Sequence, residues 1–181
     1  LIIENNQEIS PKDPGKILKT GEAGEIIMTG GHMPAVYIND VRDGSNKTRL
    51  SIDGKNWHRT GELGYIDESG RLWLLGKAKT EISRGSEKIY PFSIETILSF
   101  EKDIRRTAVI SKKGKIFLFI EIFYTEDKEE QFQIQDKLEE KIKEMKIAVD
   151  KVIFVDEIPM DKRNYGETDY DSLEKLSEKY I

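Results

Sequence analysis

Residues Ile116 to Tyr124 form an almost unbroken apolar, β-rich run in a chain of 181 residues that is 35% charged. A run of that length and composition reads as a buried strand. It is too short for a spanning helix, which needs about 18 or more consecutive apolar residues. In so charged a chain a strand of this kind has to be covered, and the segments around it read as the rest of one sheet and its helices.

Thr107 to Ile110 reads as a second buried strand, and Val152 to Val155 as a further short one. Pro91 to Phe100 has the pattern of a short helix with proline at its start, placing Ile94, Ile97 and Leu98 on one face. Asp127 to Lys146 is the clearest helix. Its Ile134, Leu138, Ile142 and Met145 recur at helical spacing, while lysines and glutamates fill the other faces. That charged surface is a solvated face or a partner-binding one. Asp171 to Tyr180 completes the set as a terminal helix with Leu173 and Leu176 inward.

The half before residue 80 reads differently. Glu25-Ile26-Ile27-Met28 and Arg71-Leu72-Trp73-Leu74-Leu75 are short strands, and turn signals recur at Pro11–Gly15, Asp43-Gly44, Asp53-Gly54 and Ser69-Gly70. Frequent turns between short strands indicate a small barrel-like or sandwich-like unit. The fold class expected for the whole chain is therefore α+β. Gly76-Lys77-Ala78-Lys79-Thr80 has no core residue larger than alanine, and reads as a hinge or an ordinary loop.

The net charge of −5 with mixed signs argues against a nucleic-acid-binding face, and no segment is long enough to span a membrane. There is no cysteine, which excludes disulfide and thiolate chemistry. No leader is recognisable, and a cytoplasmic protein is expected. The chain begins at Leu1 rather than methionine and reads as a piece of a longer protein. His32 and His58 lie far apart without a carboxylate at ligand spacing, so no metal site is expected. Asn46-Lys47-Thr48 has the form of a glycosylation acceptor, a triplet frequent by chance.

Three segments carry polar groups where chemistry needs them. Trp57 to Gly64 offers Glu62, which is either an acceptor for a sugar diol or a solvated residue of a β-turn. Ser83 to Pro91 reads as a loop leading into a helix, either one where Gly85 lets backbone amides approach a ligand or a plain loop. Asp161 to Tyr170 is a long polar loop after Pro159, either functional or a plain exposed tail.

Taken in order, these segments resemble the adenylate-forming superfamily of acyl- and aryl-CoA synthetases, peptide-synthetase adenylation domains and luciferases. Gly21-Glu22-Ala23-Gly24-Glu25-Ile26 is similar to the family's GE-x-GEI strand. Trp57 to Gly70 is similar to W-x-RTGDLG-x-x-D-x-x-G, and Gly76-Lys77-Ala78-Lys79 to the GR-x-D/K hinge. Gly85 to Glu95 is similar to GGEKIYP-x-E-I/V-E. Ile158 to Glu167 sits where the family carries its terminal lysine loop.

The resemblance implies a specific part of such an enzyme. Residues 1–76 would be the last β subdomain of the large N-terminal part, 77–80 the hinge and 81–181 the mobile C-terminal domain. The family joins a carboxylic acid to ATP, with Mg, to give an acyl-adenylate, and then passes the acyl group to CoA or a carrier-protein thiol. The resemblance assigns Glu62 and Lys77 to the nucleotide (ATP or AMP), Lys79 to the pivot and Gly85 to the thiol arm. Glu167 stands at the position of the catalytic lysine. The N-terminal domain is the implied partner. The phosphate loop and acid pocket would lie there, so this segment alone is expected to bind no cofactor and not to be catalytic by itself.

Three positions depart from the family. Glu62 replaces its Asp, one methylene longer. Lys77 replaces an Arg and loses the planar two-pronged donor. Glu167 replaces the lysine that steadies charge as the adenylate forms. Two readings follow: a ligase whose adenylation step is impaired, or a non-catalytic relative acting as a scaffold or interaction module.

Overall fold

The computed structural model describes residues 1–5, 15–31, 49–162 and 166–180. His32, Asp43-Gly44, Asn46-Lys47-Thr48 and Arg163 lie outside the described residues. The chain forms two compact units, Leu1–Lys79 and Thr80–Ile181, and its fold is α+β.

The first unit is a curled half-barrel of antiparallel strands. β1 (Ile2–Ile3) pairs with β2 (Gly24–Met28), and β2 pairs with the twelve-residue β4 (Lys55–Ile66). The other edge of β4 is shared. β3 (Arg49–Ile52) takes its first half, and β5 (Leu72–Lys77) takes its second. Two irregularities bend the long strand. Between the pairs Glu25–Leu63 and Ile27–Arg59, β4 spends two residues more than β2. Between Leu63–Gly76 and Gly64–Leu74, Leu75 of β5 is the extra residue. Such bulges kink a sheet and increase its twist. At Gly64 the strands approach so closely that a Cβ would lie 2.5 Å from the Trp73 carbonyl oxygen, so only glycine fits. The core on one face is small: Ile3, Ile27 and Leu50, with Ile52 and Trp57 against them.

The turn that leads into β5 is fixed by Asp67. Its carboxylate accepts from the Ser69 and Arg71 amides at 2.9 Å each, from Arg71 Nε at 2.7 Å and from Trp73 Nε1 at 2.8 Å. The Trp73 bond and those of Arg71 and Ser69 hold its pKa below the ordinary carboxylate value.

The second unit starts with a hairpin, β6 (Ile82–Arg84) and β7 (Glu87–Ile89), and continues through α1 (Pro91–Leu98). Its sheet has β9 (Lys115–Ile122) in the centre, antiparallel to β8 (Ile104–Lys112) and parallel to β10 (Lys151–Phe154). The return from β9 to β10 runs through α2 (Lys128–Glu144), and α3 (Tyr170–Ser177) follows the terminal loop.

β9 is apolar from Ile116 to Ile120 because both of its faces are covered there. Ile116, Leu118 and Ile120 join Leu98 of α1 and Leu138 and Ile142 of α2 in one core. Phe117 and Phe119 join Ile153, Ile158 and Leu173 of α3 in another. The alternation is that of a strand, whose successive side chains point to opposite faces.

Helix ends follow local chemistry. Asp127 caps α2 by accepting from the amides of Glu129 at 2.8 Å and Glu130 at 3.2 Å, and Asp169 caps α3 through Ser172. Acidic residues begin α2 and lysines end it, as the helix dipole favours. Two residues read as inward do not stay so. Met145 stands at the C-cap of α2, 36% exposed. Ile97 of α1 is 49% exposed, because Pro91, Ile94 and Leu98 form the stripe that faces the sheet. No helix among the described residues is long and apolar enough to cross a membrane.

Candidate functional site

Trp57 to Gly64 is not a turn. It lies inside β4, where one irregular stretch contains Glu62 and a second follows at Leu63 and Gly64. The pairing of β4 with β5 places Glu62 directly opposite Lys77, so the two residues assigned to one ligand are cross-strand neighbours. Both are half-buried.

The backbone under Glu62 is held by a buried carboxylate that motif matching alone did not single out. Glu25 on β2 is 2% exposed. Its Oε2 accepts from Arg59 Nε at 2.8 Å and makes a closer contact with Arg59 Nη2, while Oε1 accepts from the Gly61 amide at 3.2 Å. Thr60 Oγ1 donates to the Ile26 carbonyl at 2.8 Å and accepts from the Glu62 amide at 3.0 Å. A strand glutamate followed by two isoleucines, with an arginine elsewhere in the same motif set, was the available signal.

After β5 the backbone tightens into a single 3-10 turn, Ala78–Thr80, which carries Lys79 exposed to solvent. The Ala78 carbonyl accepts from Asn5 Nδ2 at 3.4 Å.

In the second unit the segment read as a loop before the helix is the β6–β7 hairpin. Gly85 sits at its tip with φ +63°, a conformation that other residues adopt at a cost, and its Cα faces open space. Arg84 and Glu87 face each other at 3.8 Å, and Arg84 also reaches Asp150 at 3.5 Å. Asp150 in turn accepts from the Ile116 amide at 2.7 Å, which ties the hairpin to the start of β9. At the hairpin's base Lys88 pairs with Glu81 at 3.3 Å. Burial pushes the neighbouring Tyr90 hydroxyl pKa up, and the Glu81 charge adds to it.

Glu167 lies in a loop closed like a small hairpin. Met160 and Thr168 form an antiparallel bridge, the Asp161 amide donates to the Glu167 carbonyl at 2.9 Å, and the Asp169 amide donates to the Pro159 carbonyl at 2.9 Å. Lys162 is exposed next to that closure.

Two carboxylates, Glu121 buried and Glu95 half-buried, anchor the loop. Glu121, fully buried at the end of β9, accepts from the Ile158 amide at 2.9 Å and pairs with Arg105 at 2.8 Å and Arg106 at 3.4 Å. Two successive arginines reach one carboxylate because Arg105 is the bulged residue of β8. Glu95 of α1 accepts from the Val109 amide at 2.9 Å and from the Tyr170 hydroxyl at 3.2 Å. Burial raises the Glu95 pKa against the lowering effect of those two bonds. Burial, then Glu95 and more weakly Glu167, raise that of Tyr170.

His58 sits in β4 opposite Met28 and Arg49. Among the described residues no three His, Cys, Asp or Glu side chains cluster as metal ligands.

No protein-family model matches the chain. Individual proteins do. The indoleacetate–CoA ligase of Aromatoleum aromaticum is 31% identical over 151 residues, covering 81% of this chain and 28% of that protein. The chain belongs to the adenylate-forming superfamily. Solved structures of the superfamily share its fold. The amide bond synthetase McbA of Marinactinospora thermotolerans matches with a TM-score of 0.69 at 19% identity, over 96% of this chain and 34% of that one. The o-succinylbenzoate CoA synthetase of Bacillus subtilis, solved in complex with AMP, matches with a TM-score of 0.66 at 23% identity, over 89% of this chain and 31% of that one. The chain thus spans about a third of the length of each of the three.

Proposed function

We propose that this chain is the C-terminal part of an AMP-forming acid–thiol ligase, with 1–76 completing the nucleotide site, 77–80 acting as the hinge and 81–181 moving between two half-reactions. The observation that carries the reading is the register of Glu62 against Lys77, one step before the 3-10 turn that holds Lys79. A half-buried carboxylate suits the two hydroxyls of a ribose, and an ammonium opposite it suits a phosphate. The AMP complex of the Bacillus subtilis relative and the ligase names of the relatives point to the same ligand class. Magnesium would be held largely by the nucleotide's own phosphates, as that ion commonly is.

In the first half-reaction an acid carboxylate attacks the α-phosphorus of ATP and pyrophosphate leaves. In the second a thiol attacks the acyl carbon and AMP leaves. Glu167 bears on the first. A single charge pair at ~4 Å and an effective dielectric of about 20 is worth about 4 kcal/mol, so an anion in a cation's place costs several decades of rate. Lys162 is the described cation nearest in sequence to the loop closure. Gly85 bears on the second half-reaction, since at the hairpin tip it brings no side chain of its own to obstruct a thiol arm.

The test is made on the longer protein. Pyrophosphate exchange is measured with indoleacetate and o-succinylbenzoate as trial acids, and thioester formation is measured from a synthetic indoleacetyl-adenylate. We expect slow exchange, efficient thioester formation, and exchange raised at least tenfold by Glu167→Lys. Rapid exchange unaffected by Glu167→Lys contradicts the impaired step. Failure to bind AMP at all favours the scaffold reading.

A further inference from the structure

We infer that Glu25 and Arg59 form a positioning pair that sets the strand bulge from which Glu62 meets its ligand. This inference rests on the nucleotide reading of Glu62 given above. Glu25 does not itself face the ligand. It is buried, and both its carboxylate oxygens are engaged, one by the Gly61 amide and the other by the Arg59 guanidinium.

The geometry explains why a charge is buried there. Four residue steps of β4, from Arg59 to Leu63, span the same length as two steps of β2, from Glu25 to Ile27. Thr60, Gly61 and Glu62 face the single β2 residue Ile26, a surplus of two, so this stretch leaves the regular ladder with β2 and loses backbone partners a flat sheet would provide on that edge. Glu25 and Thr60 supply the replacements. The carboxylate takes the Gly61 amide, and the Thr60 hydroxyl takes the Glu62 amide while anchoring itself on the Ile26 carbonyl. Arg59 neutralises Glu25, and its own side chain is only 19% exposed, so neither charge is well solvated alone. On its opposite edge Glu62 is fixed by pairing with Lys77. The site residue is therefore clamped from β2 on one side and from β5 on the other. A glutamate at this position, one methylene longer than an aspartate, depends on that clamp for its reach.

The test is a double-mutant cycle read by AMP titration calorimetry on the longer protein. Glu25→Gln keeps the shape of the side chain but replaces one acceptor by a donor, aimed at donors. We expect AMP affinity to fall on the order of tenfold, the size of one charge-assisted hydrogen bond. Because Glu25 acts through Glu62, the double variant Glu25→Gln, Glu62→Ala should bind no more weakly than Glu62→Ala alone.

Thr60→Val gives an independent route should Glu25→Gln fail to fold. It removes only the hydroxyl relay, and it should show the same lack of additivity with Glu62→Ala. A folded Glu25→Gln or Thr60→Val protein with unchanged AMP affinity overturns the proposal, as does strict additivity. An inert Glu62→Ala overturns the ribose reading and this proposal together, whereas a deleterious Glu62→Ala with additive partners overturns the positioning pair only.

Discussion

In the second unit the central strand β9 has Ile116, Leu118 and Ile120 packed on one face and Phe117 and Phe119 on the other, and helices cover both. In the first unit the central strand β4 is half-buried along most of its length. Its neighbour β5 exposes Leu72, Trp73 and Leu74, each close to half of its surface. One sheet is held by packing. The other is held by polar clamps at Glu25, Thr60 and Asp67, placed where the strands depart from regular pairing. Glu62 and Lys77, the residues proposed above for the nucleotide, sit in the second kind of sheet. The contrast teaches that irregularity and the proposed site coincide here, and that stability and positioning can be perturbed separately.

The largest expected effect tests the packed side. Phe119→Ala removes a fully buried ring from the core formed with Ile153, Ile158 and Leu173, and should cost about 3–5 kcal/mol. Urea unfolding measures the cost. Amide exchange then shows whether the loss of protection falls on β8 and β9 and spares β4. Equal loss in both sheets would break the comparison.

Gly64→Ala tests the bulged side. A methyl built 2.5 Å from the Trp73 carbonyl and 2.9 Å from Ile26 Cδ1 forces β5 away from β4, at about 1–3 kcal/mol. The same displacement should loosen Glu62 against Lys77, seen as faster exchange of the amides between 62 and 66. A variant of full stability and unchanged exchange would show that this close approach is not what holds the register.

What was legible in the sequence divides along the same line. The strand at 116–122 showed itself because burial on both faces leaves no polar alternation to misread. The helix at 128–144 showed itself because one buried stripe at helical spacing, with an Asp cap, is a local pattern. The candidate site residues were singled out only through motif resemblance. β4 was hidden because a bulged, half-buried strand carries Arg, Thr, Gly and Glu, the composition of a turn. The β6–β7 hairpin was hidden for a similar reason, being short and charged around one glycine. The opposition of Glu62 and Lys77 depends on two bulges set by long-range pairing, which no local window contains. The partners of Glu25, Glu95 and Glu121 come from other segments of the chain, so no local window shows what these acids neutralise or accept from.

Asp127→Ala sharpens the packed side at smaller cost. Losing an N-cap that satisfies two amides should cost about 1 kcal/mol and fray the first turn of α2, while Leu138 and Ile142 keep the rest docked. Helical circular dichroism and unfolding midpoints measure both. A loss near that of Phe119→Ala would mean that the cover over β9 hangs on its cap rather than on its packing.

The smallest effect is one of slope, and it concerns Glu95, the acid among the described residues of the second unit whose pKa partial burial pushes upward. Glu95 has a folded-state pKa above its ordinary value, so between those two values the folded chain holds a proton that the unfolded chain has released. Its contribution is therefore most favourable at low pH and is lost as pH rises from the ordinary carboxylate range through the raised folded value. Glu95→Gln keeps an oxygen for the Val109 amide and the Tyr170 hydroxyl and removes the titration. Unfolding free energy measured from pH 4 upward should fall less steeply for the variant than for the parent, with near-equal stability at the acid end. Glu95→Ala instead orphans the buried Val109 amide and should lower stability by about 1–3 kcal/mol across the range. Because α1 and α3 meet through this acid, the Gln variant leaves the terminal loop in place and the Ala variant loosens it. Exchange of the Asp161 and Asp169 amides, both of which close the Glu167 loop, reports the difference. Parallel pH slopes for parent and Gln variant would show that Glu95 is ionised at little cost, and that this unit tolerates a buried charge as readily as the bulged sheet tolerates Glu25.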